Sequence, residues 1–309
     1  MDPATHALIG VAISKLGGQQ LSLQNPAFVG AVIGSVAPDI DIVLQKWGDY
    51  VYLNNHRGMS HSLIGLGIFS SIITLTLMLF YPQMDFLNVF FWTFLGCFFH
   101  SGMDLLNSYG VKLLWPFYNK KIAFGLIIVF DPVIFILLTL YIAFDIMSAN
   151  MIFGGLICYI VLRIGMMYSI HYRVKKYFNV NWRNVNVLPS MLGVFKWHFI
   201  IRTSGGITVG EKSIFKRQIQ VIEELLTIES RLLNRIMYTP IAKFFAEFTP
   251  FYHVVWNEAE KVFKFIDVRY YIKNTFLHHA TAKVSDDFKV LDQKFHPYSL
   301  KRSVEIPNG

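Results

Sequence analysis

The sequence is poor in charged side chains. Only 16% of its 309 residues are Asp, Glu, Lys or Arg, against about 25% in ordinary soluble domains, and 54% are hydrophobic. The shortage is concentrated early in the chain, where residues 1–170 contain eight Asp and no Glu. This composition excludes a disordered chain and a single soluble globule. It indicates lipid around the first part of the chain and water around the rest.

Cysteine is also scarce. Cys97 and Cys158 are the only two, and both lie in apolar runs. Two such residues cannot build a disulfide scaffold or a cysteine-rich zinc site. We therefore interpret them as small buried hydrophobic residues.

Four apolar runs are long enough to cross a bilayer, which needs about 20 residues. They cover residues 63–81, 87–103, 122–144 and 151–170. Two shorter segments, 7–14 and 26–37, precede them. A helix over the longer one would span about 18 Å of a hydrocarbon core roughly 30 Å thick, so we expect a re-entrant hairpin or two tilted spans. The predicted fold of residues 1–172 is mainly α, a bundle of four long transmembrane helices plus two short N-terminal helices.

Basic residues fall on one side of this predicted bundle. Nine Lys and Arg lie before the first long run, at 107–121 and just after the fourth run, whereas the opposite turns at 82–85 and 145–149 have none. Lys15 is the one possible exception. The positive-inside rule therefore predicts a multi-pass inner-membrane protein with its N-terminus, basic loops and C-terminal domain in the cytoplasm.

Residues 173–309 form a predicted small cytoplasmic α+β domain that is rich in β-structure. The pattern at 185–209 predicts a hairpin, 212–247 has helical spacing, and 251–268 and 270–290 predict further strands. Residues 171–309 hold 21 of the 28 Lys and Arg and 12 of the 20 Asp and Glu, a net charge of +9. We expect contact with anionic lipid and, without a recognisable motif, no nucleic acid.

Polar side chains in the apolar part are costly and are usually functional or paired. His100 and Asp104 are four residues apart, so they share one face of a helix. The predicted topology places six further candidates in the same leaflet, namely His6, Asp39, Asp41, His56, His61 and Asp131. This mixture of imidazoles and carboxylates suits one or two divalent ions, with Zn favoured and Mn or Fe as alternatives. The competing interpretation is a purely structural polar network.

Three charged residues have open roles at this stage. Asp41 and Asp131 are candidate general bases if they are not ligands, and Asp131 could instead pair with Arg163. Arg57 could bind a substrate phosphate through two hydrogen bonds or could be a cation at the membrane interface.

The motifs MDPATHALIG, APDID, NNHRGMSHS, HSGMDLLNSYG and VFDPVIF occur in this order over residues 1–170. Together they resemble the family of membrane-bound metal-dependent hydrolases that includes LexA-regulated inner-membrane proteins. The resemblance implies metal positions at His6, Asp39, His56, His61, His100 and Asp104. It implies other recurring positions at Arg57, Asn107, Gly110 and Asp131. A distant similarity in ligand chemistry alone links the cluster to zinc-dependent phospholipase C and single-strand nucleases.

Two function classes follow from these observations. The first is a metal-dependent hydrolase at the cytoplasmic leaflet, acting on a phospholipid or other lipid-linked phosphoester or ester, with Asp41, Asp131 and Arg57 as catalytic residues. The alternative is a non-enzymatic membrane protein with a structural or sensory metal site and a partner-binding cytoplasmic domain. A transporter ranks third because the candidate ligands gather in one leaflet and not at the midplane. An open coordination position would favour the enzyme.

Overall fold

The computed structural model describes residues 1–144, 148–191, 193–272, 274–297 and 302–306. The chain separates into two compact units. The N-terminal unit comprises residues 1–46 and 55–165, and the C-terminal unit comprises residues 47–54 and 166–309. The turn expected at 145–149 lies in part outside the described residues.

Helices build the N-terminal unit. The first seven helices of the chain are α1 (Pro3–Leu16), α2 (Pro26–Gly34), α3 (Asp49–Asn55), α4 (Leu63–Met78), α5 (Phe86–Leu106), α6 (Pro132–Ala143) and α7 (Ala149–Phe178), and α3 belongs mainly to the C-terminal unit. Short 3-10 helices cover Ala37–Trp47 and Met59–His61. The side chains of Asp2, Asn25 and Ser62 accept first-turn N–H groups and so fix where α1, α2 and α4 begin.

Among the described residues, α5 and α7 are long and apolar enough to cross a membrane. Two bent helix pairs, 26–34 with 37–47 and 49–61 with 63–78, raise the number of candidate spans to as many as four. The predicted span at 122–144 is helical only over Pro132–Ala143, about 18 Å. Pro132 lacks an N–H and starts the helix there. The predicted membrane character is supported, whereas the bundle of four long helices is not confirmed.

The backbones of α2 and α5 approach each other closely. A Cβ at Gly34 would lie 2.3 Å from the carbonyl oxygen of Thr93, and one at Gly96 would lie 2.2 Å from the backbone of α2. Small residues allow helices to pack at this distance. The approach brings the carbonyl of Ser35, just after α2, to the side of α5 that carries His100.

The two cysteines differ in exposure. Cys97 is buried as expected, but Cys158 is exposed on α7 and that expectation is wrong. Its neighbours Ile157, Val161 and Leu162 are exposed as well. An apolar residue on a candidate span can face lipid, so an apolar run does not by itself predict burial in the protein.

Antiparallel sheets make up most of the C-terminal unit, and two of the sheets have four or more strands. The first sheet has the order β1-β2-β3-β4, formed by β1 (Val185–Pro189), β2 (Lys196–Thr203), β3 (Gly206–Ser213) and β4 (Gln220–Leu226). Next come α8 (Ser230–Ile236), α9 (Pro240–Phe248), β5 (Tyr252–Asn257), β6 (Val262–Asp267), β7 (Tyr271–Ile272), β8 (Thr275–Phe276), β9 (His279–Val284), β10 (Val290–His296) and β11 (Val304–Glu305). The second sheet has the order β11-β10-β9-β6-β5, and β7 pairs with β8.

The first sheet packs on both of its faces. Trp197 points to one side, where it contacts the cluster that includes Ile170 and Val174 of α7. Ile200 points to the other side, toward residues 266–268. This alternation is the period-two pattern of a strand that is buried on both faces.

The expected α+β character is confirmed as an α/β domain with sheets, but its details differ. The segment 185–209 contributes three strands instead of a two-stranded hairpin. The expected helix at 212–247 is replaced by the end of β3, by β4 and by the two helices α8 and α9. β4 pairs along β3 despite its Glu-rich, helix-like spacing, because cross-strand packing can outweigh local preference.

Candidate metal centre

Four side chains from three segments converge at one point in the N-terminal unit. They are Asp39 from the 3-10 helix after α2, His61 from the 3-10 helix before α4, and His100 and Asp104 from the last turns of α5. One ligand atom from each lies within 4.8 Å of the others. We call these residues the four-donor group.

The spacing within the four-donor group fits a single ion. The Nε2 atoms of His61 and His100 are 3.1 Å apart, and Asp39 Oδ1 lies 3.5 Å from each of them. Asp104 Oδ2 lies 3.6 Å from His61 Nε2. Four donors placed tetrahedrally at about 2.0–2.2 Å from a zinc-sized ion would be roughly 3.3–3.6 Å apart. The residues present therefore fit a divalent metal.

Hydrogen bonds behind the two imidazoles determine which nitrogen faces this point. His100 Nδ1 donates to the carbonyl of Ser35 at 2.7 Å, so Nε2 of the neutral ring carries the lone pair. His61 Nδ1 lies 2.9 Å from Ser60 Oγ. Ser60 donates its own proton to Asp41 at 3.3 Å and therefore accepts one from His61. Two lone pairs then face each other, which is repulsive unless a positive charge lies between them.

A proton or a metal ion could supply this positive charge. A proton shared by the two rings would satisfy the imidazoles alone. A metal ion would also engage the carboxylates of Asp39 and Asp104, which lie at the same separation. The donor set as a whole therefore favours the metal.

His6 lies against the four-donor group. Its ring stacks on His100 with 3.7 Å between centroids, and its Nε2 lies 3.5 Å from Asp104 Oδ1, which the amine of Met1 also contacts. Both ring nitrogens of His6 are buried and have no hydrogen-bond partner among the described residues. Because unsatisfied buried polar atoms are costly, His6 is a candidate ligand for a second ion or for substrate.

Arg57 is buried beside the four-donor group. Its Nη2 lies 3.1 Å from Asp104 Oδ2, and its Nη1 donates to Asn107 Oδ1 at 3.1 Å. Asn107 in turn donates to Asp104 Oδ1 at 3.0 Å. The backbone of Arg57 has a φ of 60°, a left-handed conformation that is costly for a residue with a side chain. Arg57 is therefore held inside the protein and does not extend to the membrane interface.

His56 and Asp41 form a pair next to the four-donor group. His56 Nδ1 donates to the Asp41 carboxylate, with distances of 3.0 and 3.1 Å to its two oxygens. The backbone N–H of Arg57 donates to the same carboxylate at 2.9 Å. The ring of His56 is 6.4 Å from that of His61, and its side chain is 28% exposed. His56, expected as a metal ligand, thus lies outside the four-donor group.

Asp131 also lies outside the four-donor group. Its carboxylate caps α6 by accepting first-turn N–H groups, and it accepts the hydroxyl of Tyr159 at 2.7 Å. Arg163, the alternative ion-pair partner of Asp131, is buried in the same unit and also donates Nε–H to the carbonyl of Leu126 at 2.7 Å. These contacts give Asp131 a structural role at the start of α6, and its expected catalytic role stays a prediction.

Ser35, Ser60 and Tyr159 were not singled out from the sequence. Ser60 could have been found, because it directly precedes His61 within the motif RGMSHS. Ser35 acts through its backbone carbonyl, and Tyr159 acts across the fold on Asp131. No side-chain spacing indicates either contact.

The four-donor group is open on one side. The side chains of His61, His100 and Asp104 are fully buried, whereas that of Asp39 is 23% exposed. A ligand from outside the protein would therefore reach the group past Asp39. Such access is expected of a catalytic metal site, whereas structural sites are closed.

Comparisons with known proteins agree with the membrane character of the N-terminal unit. The YdjM inner membrane protein family model matches residues 1–174, and the model of the YfhP C-terminal alpha/beta plait domain matches residues 231–304. The Bacillus subtilis (strain 168) protein named "Uncharacterized protein YfhP" is 28% identical over 307 residues, which cover 94% of this chain and 93% of the relative. No solved structure matches the chain. Residues 175–230, which include β1 to β4, lie outside both matched ranges.

Proposed function

The chain belongs to the YdjM inner membrane protein family, and we propose that it is a metal-dependent hydrolase acting on a phospholipid or another lipid-linked phosphoester. The observation that carries the proposal is the four-donor group, in which two imidazole lone pairs and two carboxylates point to one place. Two nitrogen and two oxygen donors suit zinc, with manganese or iron as alternatives.

The metal's ligands would be Asp39, His61, His100 and Asp104. A bound divalent ion would supply Lewis acidity and lower the pKa of a water molecule. Ser35 and Ser60 hold the two imidazoles in the required tautomer through the hydrogen bonds described above. Arg57 would neutralise charge on a phosphate oxygen, a task for which the guanidinium group is suited.

His56 is the proposed proton-transfer residue, and Asp41 is its positioning residue. Asp41 accepts the Nδ1 proton, so Nε2 is the basic atom of the neutral ring. His56 would take a proton from the attacking water and return it to the leaving oxygen. This assignment replaces Asp41 itself as the general base.

A lipid substrate is favoured by where the ligands lie along α5. This helix is a candidate span of 21 residues, and His100 and Asp104 lie in its last turns. A group near the end of a span lies close to the headgroups, where phosphoesters are found. The basic residues of the neighbouring loops would attract anionic headgroups.

The test compares three histidine variants of the full chain in lipid nanodiscs. His61→Ala should lose bound metal, measured by elemental analysis, together with turnover of a panel of phospholipids and lipid-linked phosphoesters. His56→Ala should keep its metal but lose turnover by about 100-fold or more, the usual contribution of a general base. His296→Ala, in the C-terminal unit, is the matched control and should change neither property.

The metal centre and the hydrolase activity can be refuted separately. Unchanged metal content in His61→Ala would refute the metal centre. A stable metal in the wild-type protein without turnover of any phosphoester in the panel would refute the hydrolase and leave a metal-binding membrane protein. Loss of metal from His56→Ala would make that residue a ligand, as the sequence suggested.

A further inference from the structure

Two turns at one end of the first sheet carry an exposed aromatic pair. The β1–β2 and β3–β4 turns share this end because the strands are antiparallel in sequential order. Phe195 and Phe215 lie in these turns with 5.0 Å between ring centroids, and Phe215 is 76% exposed. Exposed apolar residues scattered singly need no explanation, but two exposed rings in contact with each other at a sheet end do.

The turn that carries Phe215 is held in a defined shape. The N–H of Ile214 donates to the carbonyl of Phe195 at 3.0 Å, which ties the two turns together. The buried ammonium of Lys212 donates to the carbonyl of Ser213 at 3.2 Å and to that of Lys216. The aromatic pair is therefore presented without a large loss of conformational freedom on binding.

The surroundings of the pair are basic. Residues 193–196 and 211–220 contain Lys196, Lys212, Lys216 and Arg217 against a single acid, Glu211. Glu211 is already paired with Lys196. We call Phe195, Phe215, Lys216 and Arg217 the basic-aromatic end of the sheet. Its charge is complementary to an anionic surface.

The basic-aromatic end is hydrogen-bonded to the last turns of α7, a candidate membrane span. α7 has 30 residues, about 45 Å of helix for a core roughly 30 Å thick. Its basic last turn, with Lys175 and Lys176, is the end that we expect in the headgroup layer. Arg173 in these turns donates to the carbonyl of Ile214 at 3.0 Å. The exposed tyrosines Tyr172 and Tyr177 on the same turns are typical of a membrane interface.

We propose that the basic-aromatic end is a membrane-docking surface, with Phe195 and Phe215 inserted among the lipid headgroups and Lys216 and Arg217 bound to anionic phosphates. The first sheet then follows α7 onto the bilayer surface, and the occupant is lipid of the membrane that α7 crosses. Apolar insertion combined with basic side chains is how peripheral segments bind anionic bilayers. This docking does not depend on the hydrolase activity.

The test places one fluorescent reporter at either end of the first sheet. Full-length protein with Cys97→Ala and Cys158→Ala receives Phe215→Cys or Leu226→Cys and an environment-sensitive label. Leu226 is the matched control, since it is 80% exposed at the opposite end of β4. The proteins are reconstituted in phosphatidylcholine bilayers with or without phosphatidylglycerol, and quenching by brominated lipid is compared with quenching by aqueous iodide.

Docking predicts that brominated lipid quenches the label at 215 several-fold more than the label at 226, with a blue-shifted emission. Lys216→Gln together with Arg217→Gln should reduce quenching at 215 only in bilayers that contain phosphatidylglycerol. A label at 195 should be quenched like the label at 215. It is the control for a local effect of the substitution at 215. The proposal would be overturned by equal lipid quenching at 215 and 226 or by access of iodide to the label at 215. Protection of that label from both quenchers would also overturn it and would indicate a protein partner.

Discussion

The two units of this chain differ in how completely the protein satisfies one cluster of buried polar groups in each. In the C-terminal unit, Asp267 and Arg269 are both buried and satisfy each other, with Nη2–Oδ2 at 2.7 Å and Nε–Oδ1 at 2.9 Å. In the N-terminal unit, the four-donor group converges on a point with imidazole lone pairs opposed, and His6 has no hydrogen-bond partner among the described residues. The first arrangement is complete within the chain, whereas the second lacks the positive charge between its imidazoles that a proton or a metal ion could supply. This difference separates a structural ion pair from a candidate binding site.

The largest effect should come from breaking the completed pair. Asp267→Ala leaves the guanidinium of Arg269 buried without its counter-charge, so we expect the C-terminal unit to lose about 3–5 kcal/mol of stability. Hydrogen exchange of β6 in the full chain in nanodiscs would measure this loss. The control is Asp292→Ala, which removes an exposed pair with Lys294 and should leave the stability of the C-terminal unit nearly unchanged.

The comparison predicts a different result for the N-terminal unit. In metal-free protein, Asp39→Ala removes a partly exposed carboxylate from a four-donor group that holds no ion. We therefore expect a smaller loss of stability than for Asp267→Ala. An equal or larger loss would mean that the four-donor group is a closed structural network. A negligible effect of Asp267→Ala would show that the contrast between the units is wrong.

The sequence indicated the candidate metal site better than it indicated the details of the fold. The i,i+4 spacing of His100 and Asp104, together with the expected topology, already suggested proximity to His61. His56 lies outside the four-donor group and directly precedes Arg57, whose backbone is left-handed. No side-chain pattern reveals such a turn.

Sequence patterns also fail to predict the contacts of Asp131 and of β4. A hydropathy run does not show that Pro132 begins a helix in its middle, nor that Asp131 caps it. In β4, the Glu-rich spacing of residues 220–226 resembles a helix, while its actual partner is a strand that precedes it in the chain. Both errors concern contacts with the rest of the fold, which local periodicity does not contain.

The next effect in size should come from adding a metal ion to the four-donor group. Adding zinc at about 100 times its Kd should stabilise the four-donor group by about 2.7 kcal/mol, because only the folded state holds the ion. Hydrogen exchange at the end of α5 should slow accordingly, and a chelator should reverse the change. Exchange of β6 and β9 serves as the internal control and should not respond.

Two outcomes would contradict this prediction. Equal protection of both units by zinc would indicate non-specific binding. Protection that persists in Asp104→Asn would place the ion elsewhere, because that substitution removes a carboxylate of the four-donor group while keeping its size. Manganese and iron tested in the same way would rank the metals by the protection that each gives.

The smallest expected effect is the pH dependence of stability that comes from the buried, neutral imidazole of His278. His278 packs against Phe248 and Phe295, and burial lowers its pKa from the ordinary 6.5 to about 4, with Arg269 lowering it and Asp267 raising it by smaller amounts. The fold therefore holds the neutral ring, so its contribution is complete above pH 6.5 and is lost as the pH falls toward 4. At pH 5 we expect a loss of about 2 kcal/mol from this residue. His278→Leu should remove that share of the pH dependence, measured by exchange of β9, while the N-terminal unit keeps its own profile. If the variant and the wild type lose stability in parallel between pH 7 and 5, another group carries the effect.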